Sequence, residues 1–307
     1  MKGDELKAKF VGAMVGSALG DAIGELAFWY PQEETLCARV EQVHELRYTD
    51  DTAMAIGLAE SLVEKREVDP QHLGKTFSDN FAREPWRGYA PGPPCIFSMV
   101  RQSGITYSDA AQSLFEGKGS LGNGAAMRIS PLGLLYHASP DLYEQACASS
   151  RVTHAHPVGM DGAAVQAFAV AQAVTLDPHK DFSSEEFIRA LIGFARTSEI
   201  REKMITISKL IAEDVPPDRA APRLGQTVAV HESMPFAIYS FLHQPGSFKE
   251  CLFTAILHGG DRDTLGAMAG AISGAYLGVD AIPEFWRSKL ENRAYIEDLA
   301  YSLKTRI

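Results

Sequence analysis

Two acidic turns carry the residue types in this sequence that could do chemistry. The first is Tyr48-Thr49-Asp50-Asp51-Thr52, and the second is His258-Gly259-Gly260-Asp261-Arg262-Asp263-Thr264. Each runs straight into an apolar stretch of small residues, so each reads as a carboxylate-bearing helix N-terminus. One reading is purely structural. Asp and Thr are preferred N-caps, and acids in a first turn suit the helix dipole. Capping needs a single side chain, however, and these turns set two carboxylates and hydroxyls side by side. Neighbouring carboxylates that are partly buried repel, and they need a cation to stay ionised. Hard oxygen ligands without clustered Cys or His point to Mg²⁺, Mn²⁺ or Ca²⁺ rather than zinc. Two such turns meeting in space could hold two metals, and a metal pair can bind vicinal hydroxyls or activate water. The helix dipole disfavours a cation at the same end, so the carboxylates must stand between the helix ends and the ions.

The elements that must position these turns read as helices. Amphipathic, alanine-rich segments recur over 5–24, 52–66, 70–82, 108–115, 140–150, 159–176, 184–196, 201–213, 224–242, 248–257, 264–278 and 283–304. Ser184-Glu185-Glu186 and Ser108-Asp109 read as capped starts. Alternating β-branched runs are nearly absent, so the expected fold class is all-α, a compact packing of many helices. Three stretches read as loops: Arg87–Pro94, the Gly-rich Glu116–Gly124 and the Pro-rich Asp214–Arg223. None resembles a flexible tether, so one domain over 1–307 is expected.

Two segments share a periodic glycine. Gly12, Gly16, Gly20 and Gly24 fall every fourth residue, as do Gly266, Gly270, Gly274 and Gly278. That spacing lines each set along one helix face. Glycine inside a helix costs about 0.5–1 kcal/mol against alanine, so four in a row need a return. Very close backbone approach would supply it, as in small-residue helix packing; general crowding of a helical core is the other reading.

Composition removes several classes. A net charge of −10 over 307 residues gives no basic footprint for nucleic acid. Cys37, Cys95, Cys147 and Cys251 lie far apart, without a CxxC pair, and read as reduced thiols rather than a zinc or disulfide framework. The apolar run Val11–Leu19 is too short to span a bilayer, and Asp4, Glu5 and the lack of a cleavage pattern argue against a signal peptide. A cytoplasmic chain is expected, with no membrane partner and as a monomer.

Taken together, the motifs resemble the ADP-ribosylglycohydrolase family. The resemblance covers nearly the whole chain and rests on GAMVGSALGDAIGE (12–25), YTDDTAMA (48–55), RGYAPG (87–92), GNGAAMRISPLG (122–133), THAHP (153–157) and HGGDRDTLGAMAGAISGAYLG (258–278), in that order and spacing. It implies an all-helical orthogonal bundle. It also implies two Mg²⁺ or Mn²⁺ ions in a cleft and cleavage of the bond at C1″ of ADP-ribose. Matched residue by residue, the metal ligands would be Thr49, Asp50, Asp51, Asp261, Asp263 and Thr264. The Gly122-Asn123-Gly124 turn would offer amides to the ADP-ribose phosphates and ribose, His154 would lie near the ligand, and the 87–92 loop, with Tyr89 and Gly92, would border the cleft. The partner implied is ADP-ribose or an ADP-ribosylated protein; an ADP-ribosylated base stays open.

Three positions depart from the family pattern. Phe28 stands where many members carry a glutamate, Arg262 separates Asp261 from Asp263, and Leu121 precedes the GNG turn where an aromatic is common. Glu25 is the acid that remains near the first position. The expected mechanism has the metals gripping the 2″- and 3″-hydroxyls around an oxocarbenium-like transition state, with Asp51, Asp50 or Glu25 activating water or protonating the leaving group. Trp86 is the candidate for stacking adenine, and Arg128 for a buried ion pair or a phosphate contact. Two other classes remain open: a catalytically weak or silent ADP-ribose or nucleotide-binding module, and a metal hydrolase acting on another ribosylated substrate.

Overall fold

The structure, a computed structural model, describes residues 3–305; the outermost two residues at each end of the 1–307 domain reading lie outside it. Among the described residues there are seventeen α-helices, two short 3-10 turns and no strand, so the all-α class holds.

The helices follow the hydrophobic pattern where that pattern is strong. α1 (Gly3–Trp29) overruns the predicted 5–24 segment at its C-terminal end. α2 (Glu33–Gln42) escapes the pattern because only Leu36 and Val40 turn fully inward. α3 (Asp50–Lys65) and α4 (Pro70–Arg83) match their predicted segments. α5 (Gly92–Ser103) corrects the end of the Arg87–Pro94 loop: Pro93 and Pro94 sit in its first turn, where a missing N–H costs nothing. α6 (Tyr107–Gly117) breaks at Leu114–Glu116, with Phe115 and Glu116 at φ +53° and +60°. α7 (Ser130–Leu135) lies outside every predicted segment, whereas α8 (Leu142–Arg151), α9 (Pro157–Thr175), α10 (Ser184–Phe194) and α11 (Ser198–Ala212) match theirs. The residues that cap α6 and α10 with their side chains are Thr106 and Ser183, just ahead of the predicted Ser108 and Ser184.

α12 (Pro217–Leu224) replaces the predicted Asp214–Arg223 loop, again with proline at the helix start. α13 (Val230–His243) begins later than the predicted 224, because Gly225 at φ +110° ends the preceding helix and the chain then runs out to pair Ala229 with Gly122. α14 (Phe248–His258) and α15 (Arg262–Leu277) match. The single helix predicted over 283–304 is two, α16 (Glu284–Lys289) and α17 (Arg293–Lys304). Between them Asn292 is left-handed at φ +54°, and Leu46 bridges to Leu290.

The centre of the fold is the antiparallel pair α1 and α15. A Cβ added at Gly12 would lie 2.3 Å from the Gly274 carbonyl oxygen, at Gly16 2.4 Å from that of Gly270, and at Gly20 1.9 Å from that of Gly266. At Gly24 it would lie 2.4 Å from the Arg262 carbonyl oxygen. The two stripes therefore face each other, and close backbone approach is the reading that stands. Gly278 is the exception: at φ +83° it caps α15, and a Cβ added there would meet Ala8 only at 3.7 Å. By length and composition α1 could cross a membrane, yet 89% of its most apolar window is buried inside the protein. α14, α13, α9 and α17 pack around the pair. Because the two helices run antiparallel, the C-terminal half of α1, with Asp21 and Glu25, lies beside the N-terminus of α15, with Asp263 and Thr264.

Candidate functional site

Asp21 organises the first acidic turn. It is fully buried and accepts from the Thr49 amide at 3.0 Å, the Thr49 hydroxyl at 2.8 Å, the Thr52 amide at 3.0 Å and the Thr52 hydroxyl at 2.6 Å. The N-terminus of α3 is thus capped from α1. Thr49 and Asp261, which hold the N-cap positions of α3 and α15, make no side-chain cap bond. Ordinary capping therefore does not account for either turn. Asp21 is a positioning residue that sequence reasoning did not place in the site; its signal was the Gly20-Asp21 pair, visible but unassigned.

Asp50, Asp51, Asp261, Asp263 and Thr264 line one cleft of about 480 Å³. Thr49 lines an adjoining cavity instead, whose wall shares Asp50, Asp263 and Gly88 with the cleft. Burial and crowding raise the Asp50, Asp51 and Asp263 carboxyls. Burial, and then the Asp21 charge, pushes Asp50 up to about 7. Burial, then Asp261 and Asp21, pushes Asp263 up to about 8. Asp51 is held well above the carboxylate range by burial, then by Asp263 and its other acidic neighbours. Burial raises Asp21 only to about 6, because its four hydrogen bonds favour the ionised form.

These residues fit a divalent cation site. Asp51 Oδ1 is buried with no hydrogen-bond partner, and the remaining donors are hard carboxylate and hydroxyl oxygens. Among the described residues no three His, Cys, Asp or Glu side chains already close on one point. The fit rests on the orphaned oxygen and the unbalanced charge. Arg262 does not supply the balance: its guanidinium turns away to the Ala27 carbonyl at 2.9 Å, at the C-terminal end of α1, where the helix dipole favours a cation.

The GNG turn lines the same cleft. Gly122, Asn123, Gly124 and His154 all line it. The expectation of open amides needs correction. The Gly122 amide already donates to Ser120 Oγ at 3.1 Å, and the Asn123 amide to the Val228 carbonyl at 2.9 Å. The Asn123 side chain donates to Asp261 Oδ2 at 2.6 Å, tying the turn to the acidic cluster. Arg128 makes neither the expected ion pair nor a contact in the open cleft. It is fully buried and donates to the Gly124 carbonyl and the Thr153 hydroxyl.

The structure separates the other expected residues. Gly92 lines the cleft, whereas Tyr89 turns away, packs edge-on against Phe81 and lines a neighbouring cavity with Trp86. Trp86 is absent from the cleft wall, so it cannot stack a base there. Phe115 does line the cleft; it is 64% exposed and sits at φ +53°. Sequence reasoning missed it, because a Phe at the end of an amphipathic segment reads as core. Glu25 is half-buried in the adjoining cavity of about 360 Å³, beside Thr49, Asp50 and Asp263, and burial raises its carboxyl. Phe28, one turn further along α1, is 44% exposed.

The chain is similar along nearly its whole length to proteins of one family. The sequence profile described as ADP-ribosylglycohydrolase matches residues 2–307. The chain belongs to the ADP-ribosylglycohydrolase family. Within that family it is 32% identical to the ADP-ribosylhydrolase ARH3 of Homo sapiens, over 96% of this chain and 93% of the human protein. It is 28% identical to the ADP-ribosyl-[dinitrogen reductase] glycohydrolase of Rhodospirillum rubrum, over 95% of this chain and 93% of that one. A solved structure titled ADP-ribosylglycohydrolase-related protein complex superposes with a TM-score of 0.74 at 25% identity, covering 99% of both chains. Family membership makes the chain a glycohydrolase of ADP-ribosyl substrates.

Proposed function

We propose that this chain cleaves the glycosidic bond at C1″ of ADP-ribose attached to an acceptor, using two divalent cations, Mg²⁺ or Mn²⁺. The observation that carries the reading is the buried, donor-free Asp51 Oδ1 among three further cleft carboxylates. The residues to hold the ions are Thr49, Asp50, Asp51, Asp261, Asp263 and Thr264. Bound cations would neutralise these carboxylates and polarise the hydroxyls of the distal ribose.

The chain's own residues do the rest. Asp21 fixes Thr49 and the start of α3, so the Asp50–Asp51 pair has one orientation. Asn123 orients Asp261. The GNG turn and His154 form the end of the cleft suited to the diphosphate, and Phe115 offers a face for the base. Asp50 and Asp263 line both the cleft and the Glu25 cavity, so the reacting C1″ belongs at that wall and the acceptor in the cavity beyond it. Glu25, whose burial favours the protonated form, donates a proton to the departing acceptor. Asp51 or Asp50 takes the proton of the attacking water.

Defined Arg-, Ser- and nucleobase-linked ADP-ribose, incubated with and without EDTA, tests the reading. The expected result is free ADP-ribose from at least one substrate, lost with EDTA and restored by Mg²⁺ or Mn²⁺. Tight ADP-ribose binding with no release from any of them would select a silent binding module. Release untouched by EDTA would refute the cation site.

A further inference from the structure

Arg128 is completely buried behind the GNG turn, and among the described residues no carboxylate pairs with it. Its guanidinium makes two polar contacts with oxygen: Nη1 to the Gly124 carbonyl at 2.9 Å, and Nη2 to Thr153 Oγ1 at 2.7 Å. Its Nε has no partner. A buried cation is costly unless its surroundings compensate it; here the Asp50 charge and the Phe77 ring, 4.7 Å from the guanidinium carbon, do so in part, and no carboxylate reaches it directly. Burial pushes the guanidinium down to about 9, so it keeps its charge at neutral pH.

The contact with Thr153 has a consequence for the neighbouring ring. Thr153 Oγ1 also lies 2.8 Å from His154 Nδ1. A guanidinium only donates, so Thr153 accepts from Arg128, and among the described residues His154 Nδ1 is the one partner left to take the hydroxyl proton. Nδ1 is then an acceptor, and in a neutral imidazole the proton must sit on Nε2. Burial, reinforced by the Arg128 charge, pushes the ring down to about 3 and keeps it neutral. The Nε2 edge faces the turn: a Cβ at Gly124 would lie 2.9 Å from Nε2 and 2.7 Å from Cε1. Gly124 thus leaves room for the ring.

We infer that Arg128, acting through Thr153, locks His154 as the Nε2–H tautomer, and that this N–H is a neutral donor to a diphosphate oxygen at the GNG end of the cleft. The buried guanidinium stands behind it as a positive charge, offset only in part by Asp50, that favours the anion. The inference rests on the ADP-ribosyl reading of the cleft, but its test needs no turnover. Arg128 and Thr153 are positioning residues; His154 is the contact.

Long-range ¹H–¹⁵N correlation spectra of the ¹⁵N-histidine-labelled chain, with His154 assigned by its loss in His154→Gln, report the tautomer directly. The expected spectrum has a bare Nδ1 and a protonated Nε2 that does not titrate between about pH 5 and 8. Thr153→Val should redistribute the tautomer and weaken ADP-ribose and pyrophosphate by about tenfold, the size of one lost hydrogen bond. Adenosine affinity should not change, and Thr153→Ser should restore both readouts. An Nδ1–H tautomer in the parent chain would overturn the inference. So would a Thr153→Val chain with unchanged ADP-ribose affinity, or equal losses for adenosine and ADP-ribose. If Thr153→Val does not fold, the parent tautomer and the Thr153→Ser affinities decide. Failure to hydrolyse any substrate would strike the hydrolase reading and leave these measurements standing.

Discussion

Gly20→Ala probes the feature on which the site depends. The new Cβ would meet the Gly266 carbonyl oxygen at 1.9 Å, its carbon at 2.3 Å and the Ala267 nitrogen at 2.9 Å. All three are backbone atoms, which cannot swing aside as a side chain can. Reaching ordinary contact requires α1 and α15 to part by about 1.5 Å. One intruding methyl in a rigid core costs about 1–3 kcal/mol, and this clash belongs at the upper end. The intrinsic helix gain of alanine returns about 0.5–1 kcal/mol, leaving roughly 2 kcal/mol of destabilisation. For a chain of this length that is roughly a 3 °C loss in Tm by calorimetry. Gly193→Ala is the internal control. That glycine lies in α10 with nothing within 4 Å of the added Cβ, so it should gain about 0.5 kcal/mol. Gly20→Ala combined with Gly266→Ala should cost less than the two singles together, because both methyls enter the same gap. The rung also borders the acidic cluster, since Asp21 follows Gly20 and Thr264 lies two residues before Gly266. Stabilisation by added Mg²⁺ should therefore shrink in Gly20→Ala and persist in Gly193→Ala. A Gly20→Ala chain as stable as Gly193→Ala would refute the close-approach argument.

Three further outcomes are expected. Asp21→Asn replaces an acceptor oxygen with a donor facing the Thr49 and Thr52 donors, so chemical denaturation should show a loss of about 2–4 kcal/mol; an unchanged midpoint counts against the capping role. In EDTA the protein should lose stability as pH rises: Asp50 and Asp263 hold their protons up to about 7 and about 8 when folded, while the unfolded chain releases them near about 4. The native state binds more protons across that window, so the Tm falls through it, and Mg²⁺ should restore it most at the alkaline end; a Tm that climbs from pH 5 to 8 in EDTA contradicts this. Phe115→Ala should weaken ADP-ribose by about 5- to 100-fold, the range for one base–aromatic stack, and leave ribose 5-phosphate affinity and Tm alone because the ring is exposed; titration calorimetry with both ligands separates a base platform from a general loss of fold.

What could be read from the sequence was local. Helix-period apolar patterns located most helices, because amphipathicity is written into residue spacing. The patterns failed where little is buried, as in α2, where a helix is as short as the six-residue α7, and where two adjacent prolines open a helix, as in α5 and α12. The acidic turns and the glycine stripes were visible for the same reason: each is a short run of residue types at a fixed spacing. Their meaning was not local. That one stripe faces the other in antiparallel register, that Asp21 caps α3 from a different helix, and that Asp51 keeps an oxygen without a donor are facts about chain segments tens to hundreds of residues apart. Direction was equally out of reach. Tyr89 turns from the cleft, Phe115 turns into it, and Arg262 turns its charge to the end of α1, each decided by the packing of neighbouring elements. The chain thus carried its chemistry in its spacing, while burial, partner and orientation came from the fold, because hydrogen bonding and desolvation depend on distance in space and not along the chain.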